Sequence, residues 1–285
     1  MPSLIDLRFD GAVATITLRN PARRNAMTRA MWRDLHGVAA SLRGLDGSSE
    51  NNSKFRSVSL DSSQIKCVIV KGEAGHFCAG GDISEYPAFR FNETSLRAFH
   101  EDEVAPALHA LLACDMPLIA QIEGNCMGGG LEIAACCDIR IAGQGATFGA
   151  PIARLGMPMA AQELVIVLRA AGEATVREML LEARIFNAEQ MHQRGFVQRL
   201  VADDGVAAQV QATTERMCAL SPQAGRLNKQ ALRQFNMPYQ PTASINKAQT
   251  ATNTIAIENN PYAYADSAEH VEGITAFLEK RSPQF

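Results

Sequence analysis

The chain has 285 residues, 47% of them hydrophobic and 20% charged, which is the composition of an ordinary globular protein. That length can bury a large core without disulfide or metal staples. A formal net charge of −3 argues against nucleic-acid binding as the main business, although a few local cations would serve a phosphorylated ligand.

The opening MPSLIDLRFDG lacks the basic start and apolar core of a signal peptide. Nowhere do about 18 apolar residues run uninterrupted, so no transmembrane helix is expected. Val13 to Leu18 alternates and is rich in β-branched residues, which predicts a strand that ends at Asn20-Pro21. A helical pattern follows through Met31, Leu35, Val38 and Leu42, with Thr28 as its N-cap. Residues 44–64 turn polar and rich in Ser and Asn, which reads as a long surface loop inserted in the fold. Buried strands are predicted at Lys66–Lys71, Leu118–Ile122 and about Ile139–Ala142, with helices at Leu96–Cys114 and Gly130–Cys137. Strands alternating with helices predict an α/β fold with a mainly parallel sheet. Beyond about residue 200 only helices are predicted: 206–220, 224–235, 244–258 and 267–280. The organisation expected is therefore an α/β core over 1–200 and a helical region over 201–285. The seven cysteines are odd in number, scattered and without CxxC spacing, so buried reduced thiols and a cytoplasmic setting are expected.

Two segments carry the chemistry. His76-Phe-Cys-Ala-Gly-Gly-Asp-Ile83 and Glu123-Gly-Asn-Cys-Met-Gly-Gly-Gly-Leu-Glu132 each follow a buried strand and lead into a helix. Glycines in such turns let backbone approach a ligand, and unpaired N–H groups there can bind a negative oxygen. Neither segment has dinucleotide or P-loop spacing.

Together, and in this order, the two turns resemble the crotonase (enoyl-CoA hydratase/isomerase) family. The likeness also runs through Asn20-Pro-Ala-Arg-Arg-Asn-Ala-Met27, Phe148-Gly-Ala-Pro151, Gly195-Phe-Val197 and Ala276-Phe-Leu-Glu-Lys-Arg281. It implies a spiral of ββα units with a C-terminal helical trimerisation region, and assembly as a trimer or a pair of trimers. It implies an acyl-CoA thioester as substrate, with coenzyme A entering only as part of that substrate, and no metal or redox cofactor. By motif match, the backbone N–H groups of Gly81 and Gly129 would stabilise a thioester enolate. Glu132 matches the first of a hydratase's two catalytic glutamates. Arg24, Ala26 and Ala79 match coenzyme A-contacting turns. Asp82, Ile83, Met127, Pro151 and Ile152 complete the expected substrate surroundings.

One position departs from the pattern. The second hydratase glutamate is expected directly after the proline of Phe148-Gly-Ala-Pro151, and Ile152 stands there instead. Isoleucine neither gives nor accepts a proton, so single-base chemistry such as moving a double bond is favoured over hydration. Hydration through another acid or a positioned water remains the alternative, and a non-catalytic acyl-CoA-binding subunit is the alternative of another class. Among stand-ins, Glu163 reads as a partly exposed helix carboxylate, and Glu85 is open to the same reading. Glu101, Asp102 and Glu103 read as a solvated helix face. His76 reads as a surface imidazole, and Arg154 as a cation for a substrate carboxylate or for a neighbouring acid.

Overall fold

The computed structural model describes residues 4–43, 65–235, 264–265 and 267–285. The predicted insertion at 44–64 and the predicted helix at 244–258 lie outside the described residues. Packing divides the chain into two compact units, Met1–Met217 and Cys218–Phe285.

The first unit opens with β1 (Leu4–Asp10) and β2 (Val13–Arg19), joined across Gly11 at φ 53°, a conformation that favours glycine. Then follow α1 (Arg29–Arg43), β3 (Cys67–Gly72), α2 (Glu93–Ala98) and α3 (Ala105–Leu112). Next come β4 (Leu118–Ile122), β5 (Asn125–Met127), α4 (Gly129–Ala135), β6 (Ile139–Gly143) and β7 (Thr147–Gly149). α5 (Ala161–Ala171), α6 (Glu173–Leu181), β8 (Ile185–Asn187), α7 (Ala188–Gln193), β9 (Arg199–Val201) and α8 (Val206–Cys218) complete it.

One sheet has the order β1-β2-β3-β4-β6-β9. β1 pairs antiparallel with β2, and every later pair is parallel, as the alternation of strands and helices predicts. A smaller sheet, β5-β7-β8, sits beside the turns that follow β4 and β6. Side chains of the large sheet alternate between its two faces. Val68, Val70, Leu118 and Ala120 enter the main core with Leu35, Val38 and Leu108. Ile119 and Ile141 face the other way and pack on Val206 and Val210 of α8. Both faces are thus covered, which is why these strands read as nearly continuous apolar runs.

The helix predicted as one piece over Leu96–Cys114 is interrupted. A π-helical segment, Phe99–Val104, joins α2 to α3 and carries His100. Six of the seven cysteines are buried. No described helix is long and apolar enough to cross a membrane.

The second unit holds α9 (Pro222–Phe235) and α10 (Ala268–Leu278), the latter capped by Ser267, which accepts from the His270 N–H at 3.3 Å. Glu269 binds the start of α9, accepting from the Gln223 N–H at 3.0 Å and from the Ser221 hydroxyl. Glu272 pairs with Arg281 at 2.7 Å and accepts from the Gln284 N–H at 2.7 Å.

Candidate active site

Both glycine turns spring from the carboxyl ends of adjacent parallel strands, β3 and β4, where open sheets leave room for ligands. Short ladders join them. Cys78 donates its N–H to Asn125 O at 2.8 Å, and Met127 donates to Cys78 O at 2.9 Å. Met27 donates to Gly80 O at 2.7 Å and accepts from the Asp82 N–H at 2.8 Å. Gly80 and Gly128 both take positive φ, 104° and 47°, so the two turns meet glycine to glycine. A β-carbon on Gly80 would lie 3.3 Å from Met127 O.

This ladder decides where the Gly81 N–H points. Met27 bonds the peptide groups on either side of Gly81, so the Gly81 N–H faces away from it, and it has no acceptor among the described residues. The Gly129 N–H opens α4 and likewise has no acceptor among the described residues. A β-carbon on Gly129 would lie 3.9 Å from Glu132 Oε2, which sets the carboxyl beside that N–H. Burial pushes the Glu132 carboxyl up to about 8; Glu163 adds to the rise and Arg90 opposes it. Glu132 nevertheless keeps some accessible surface.

The remaining sequence-predicted residues gather around these turns. Arg24 adopts left-handed φ 50° and accepts the Ala79 N–H at 3.0 Å. Ala26 is buried, and its carbonyl accepts from Asn20 Nδ2 at 2.8 Å. The Asp82 carboxylate is engaged by Arg23 at 2.8 Å and by the Ser84 hydroxyl at 2.7 Å, which fixes the start of the 3₁₀ turn Ile83–Ala88. Ile83 is exposed, and Met127 is half-buried with its methyl group against Gly149. Pro151 and Ile152 open a second 3₁₀ turn, Pro151–Leu155, and both are half-buried.

Two expectations about acids are corrected. Glu163 is no partly exposed helix carboxylate: only 2% of the residue is accessible. It lies in the first turn of α5 and accepts from His100 Nδ1 at 3.1 Å, while its Oε2 is buried without a donor among the described residues. Glu103 is no part of a solvated face either. It is buried and paired with Arg29 and with Arg33, the latter at 3.0 Å. Glu85 accepts the Arg29 N–H at 2.8 Å and so caps α1. His76 accepts the Asn125 N–H through Nδ1 at 3.2 Å, and exposed Arg154 donates to Ala183 O at 3.3 Å.

Arg90 and His100, which carry no sequence signal of their own, join the site beside Tyr86. The Tyr86 hydroxyl lies where a Gly81 β-carbon would be, and its ring carries the Arg90 guanidinium 4.3 Å from its centroid. Burial raises the Tyr86 hydroxyl, Arg90 lowers it, and Glu132 raises it again, so all three groups share one neighbourhood. Arg90 Nη2 lies 3.2 Å from His100 Nε2, and Nη1 lies 3.0 Å from Met157 Sδ.

Two backbone N–H groups without an acceptor among the described residues thus lie on turns that follow adjacent parallel strands, one of them beside the Glu132 carboxyl. The description of the enoyl-CoA hydratase/isomerase family matches residues 8–285. The 2,3-dehydroadipyl-CoA hydratase of Escherichia coli is 30% identical over 273 residues, 96% of this chain and 94% of that one. A crystal structure of an enoyl-CoA hydratase/carnithine racemase from Magnetospirillum magneticum superposes with TM-score 0.82 at 34% identity, covering 100% of this chain and 96% of that one. Pseudomonas aeruginosa AtuE gives 0.81 at 28%, with 98% of each chain covered. The chain belongs to the enoyl-CoA hydratase/isomerase family, and its fold is the crotonase fold.

Proposed function

We propose that the chain acts on an acyl-CoA thioester by stabilising its enolate, with the N–H groups of Gly81 and Gly129 holding the thioester oxygen. Glu132 carries the proton at the α-carbon. The observation that supports this reading best is that two N–H groups without an acceptor among the described residues lie on joined turns, one of them beside the Glu132 carboxyl, whose burial raises it to about 8. A group that titrates there gives and takes protons near neutral pH. The E. coli relative is named as a hydratase of an acyl-CoA, which supports the substrate class. Arg24 O accepts the Ala79 N–H, joining the turns that carry Arg24, Ala26 and Ala79, which supports their reading as the coenzyme A-contacting turns. The scheme draws on no group beyond the substrate's own coenzyme A.

Acting alone, Glu132 can move a double bond, by removing a proton at one carbon and returning it at another. Ile152 supports that single-carrier reading. In the second unit Leu232, Phe277 and Leu278 are 62%, 82% and 73% exposed, which supports assembly of copies through this helical region as trimers or pairs of trimers. A cytoplasmic location is proposed on the cysteine usage. Turnover of an enoyl-CoA panel tests the reading. Glu132→Gln is expected to abolish turnover while coenzyme A affinity holds; a non-catalytic binding subunit would turn over in neither form.

A further inference from the structure

Within the enolate chemistry proposed above, on which the following rests, the Tyr86 hydroxyl has no task. Its seat is built into the turn. Gly81 does not take a positive φ, so the backbone at that position does not ask for glycine. The three atoms nearest to a β-carbon on Gly81 would all belong to Tyr86: the hydroxyl oxygen in its place, Cζ at 3.1 Å and Cε1 at 3.3 Å. Glycine at 81 therefore makes room for a phenol oxygen, and that oxygen stands beside the Gly81 N–H.

The ring is held on several sides. It belongs to the 3₁₀ turn Ile83–Ala88, whose start Asp82 fixes. Phe89 meets it edge to face at 5.8 Å, and the Arg90 guanidinium lies 4.3 Å from its centroid. Tyr86 O accepts the Arg90 N–H at 2.8 Å, so the cation and the ring stay together. The hydroxyl proton is not used in any of this. Arg90 is its polar neighbour and only donates, so the proton has no acceptor among the described residues. Burial pushes the hydroxyl up, and it keeps its proton at neutral pH. The residue is half-buried and its oxygen is not sealed off, which leaves the proton open to a ligand.

We propose that Tyr86 is a catalytic residue of this chain: its hydroxyl donates a third hydrogen bond to the thioester oxygen, beside the one from Gly81. When Glu132 takes the α-proton, the electron pair of that C–H bond forms the carbon–carbon double bond, and the carbonyl π pair moves onto oxygen. Tyr86 keeps its proton throughout and donates it to that oxygen. Hydrogen bonds of this kind strengthen as the acceptor becomes an anion, and a donor already in place needs no reorganisation.

Tyr86→Phe removes one oxygen and leaves the ring. Two measurements on the full-length protein test the role: α-proton exchange of saturated acyl-CoAs in deuterated water, and the absorbance of bound 4-dimethylaminocinnamoyl-CoA, which moves to the red as its carbonyl is polarised. Tyr86→Phe is expected to lower kcat for exchange by about 10²-fold with KM within about threefold of wild type. It is expected to bind the chromophore, which shows that it is folded, with a smaller red shift; a residue that only packs would leave that shift in place. Gly81→Ala is expected to cost exchange less in the Tyr86→Phe background than in wild type, because the oxygen its methyl group would strike is gone. Exchange in Tyr86→Phe within about threefold of wild type, or an undiminished red shift, overturns the proposal and leaves the role of Glu132 standing. A raised KM at unchanged kcat overturns it too, and makes the hydroxyl a contact of the acyl chain. Absence of exchange from wild type would remove the role of Glu132 itself, while the red shift would still decide for or against Tyr86.

Discussion

His100 Nδ1 donates to Glu163 Oε1 across 3.1 Å, joining the π segment that follows α2 to the first turn of α5, 63 residues away. His100→Phe removes both the donor to Glu163 and the acceptor of Arg90 Nη2. The expected loss is about 2–4 kcal/mol in urea unfolding, because a buried carboxyl loses its partner. His100→Gln, which can still offer an N–H, is expected to lose less. Equal losses in the two variants would contradict a hydrogen-bonding role.

Proton removal by Glu132 requires its ionised form. With the carboxyl raised to about 8, α-proton exchange is expected to climb with pH and level off above about 8. Two units lower it runs about a hundredfold slower. Glu163 contributes to the rise, so Glu163→Gln is expected to move the midpoint to lower pH. A profile flat from pH 5 to 9 would contradict this.

The same carboxyl makes a stability prediction. Its folded value, about 8, lies above the ordinary 4.5, so the folded chain holds this proton more tightly than the unfolded chain does. The stability contributed is complete below the ordinary value and is lost as pH rises through about 8. Glu132→Gln does not suffer that loss. It is expected to exceed wild type by on the order of 2–4 kcal/mol at pH 8, and by little at pH 5. Thermal unfolding at the two pH values checks it.

The glycines separate by what a methyl group would meet. On Gly81 it meets the Tyr86 hydroxyl, the far end of a side chain that can move. Gly81→Ala is expected to fold and to lose about 10²-fold in rate as the donor shifts. On Gly130 it meets Cys78 O, fixed backbone, at 2.6 Å. Gly130→Ala is expected to cost about 1–3 kcal/mol or more, read by denaturant unfolding. Comparable stability of the two variants would contradict the distinction.

Much of this was legible in the chain. The buried strands β3 and β4 show as apolar runs, and both glycine turns and Glu132 stand out by residue type and spacing. β1 is announced by the strict alternation of Ile5–Asp10 and by Asp10-Gly11, a hairpin signal, which the sequence reading above does not use. β5, β7 and β8 have three residues each, too few for a periodic pattern. The π segment, in which Phe99 and Val104 are buried, has no local residue pattern that announces it. Glu163 was misread because its burial depends on a histidine distant in sequence. Likewise Glu103 looks solvated beside Glu101 and Asp102, and only the fold brings Arg29 and Arg33 to it.

The central claim is that Glu132 moves a proton at the α-carbon of an acyl thioester. Its most direct test is mass gain of saturated acyl-CoAs incubated in deuterated water with wild type and Glu132→Gln. The account predicts deuterium at the α-carbon with wild type and a loss of about 10²-fold or more in the variant, at similar coenzyme A affinity. Exchange that persists undiminished in Glu132→Gln, or that is missing from wild type despite measurable binding, would contradict it.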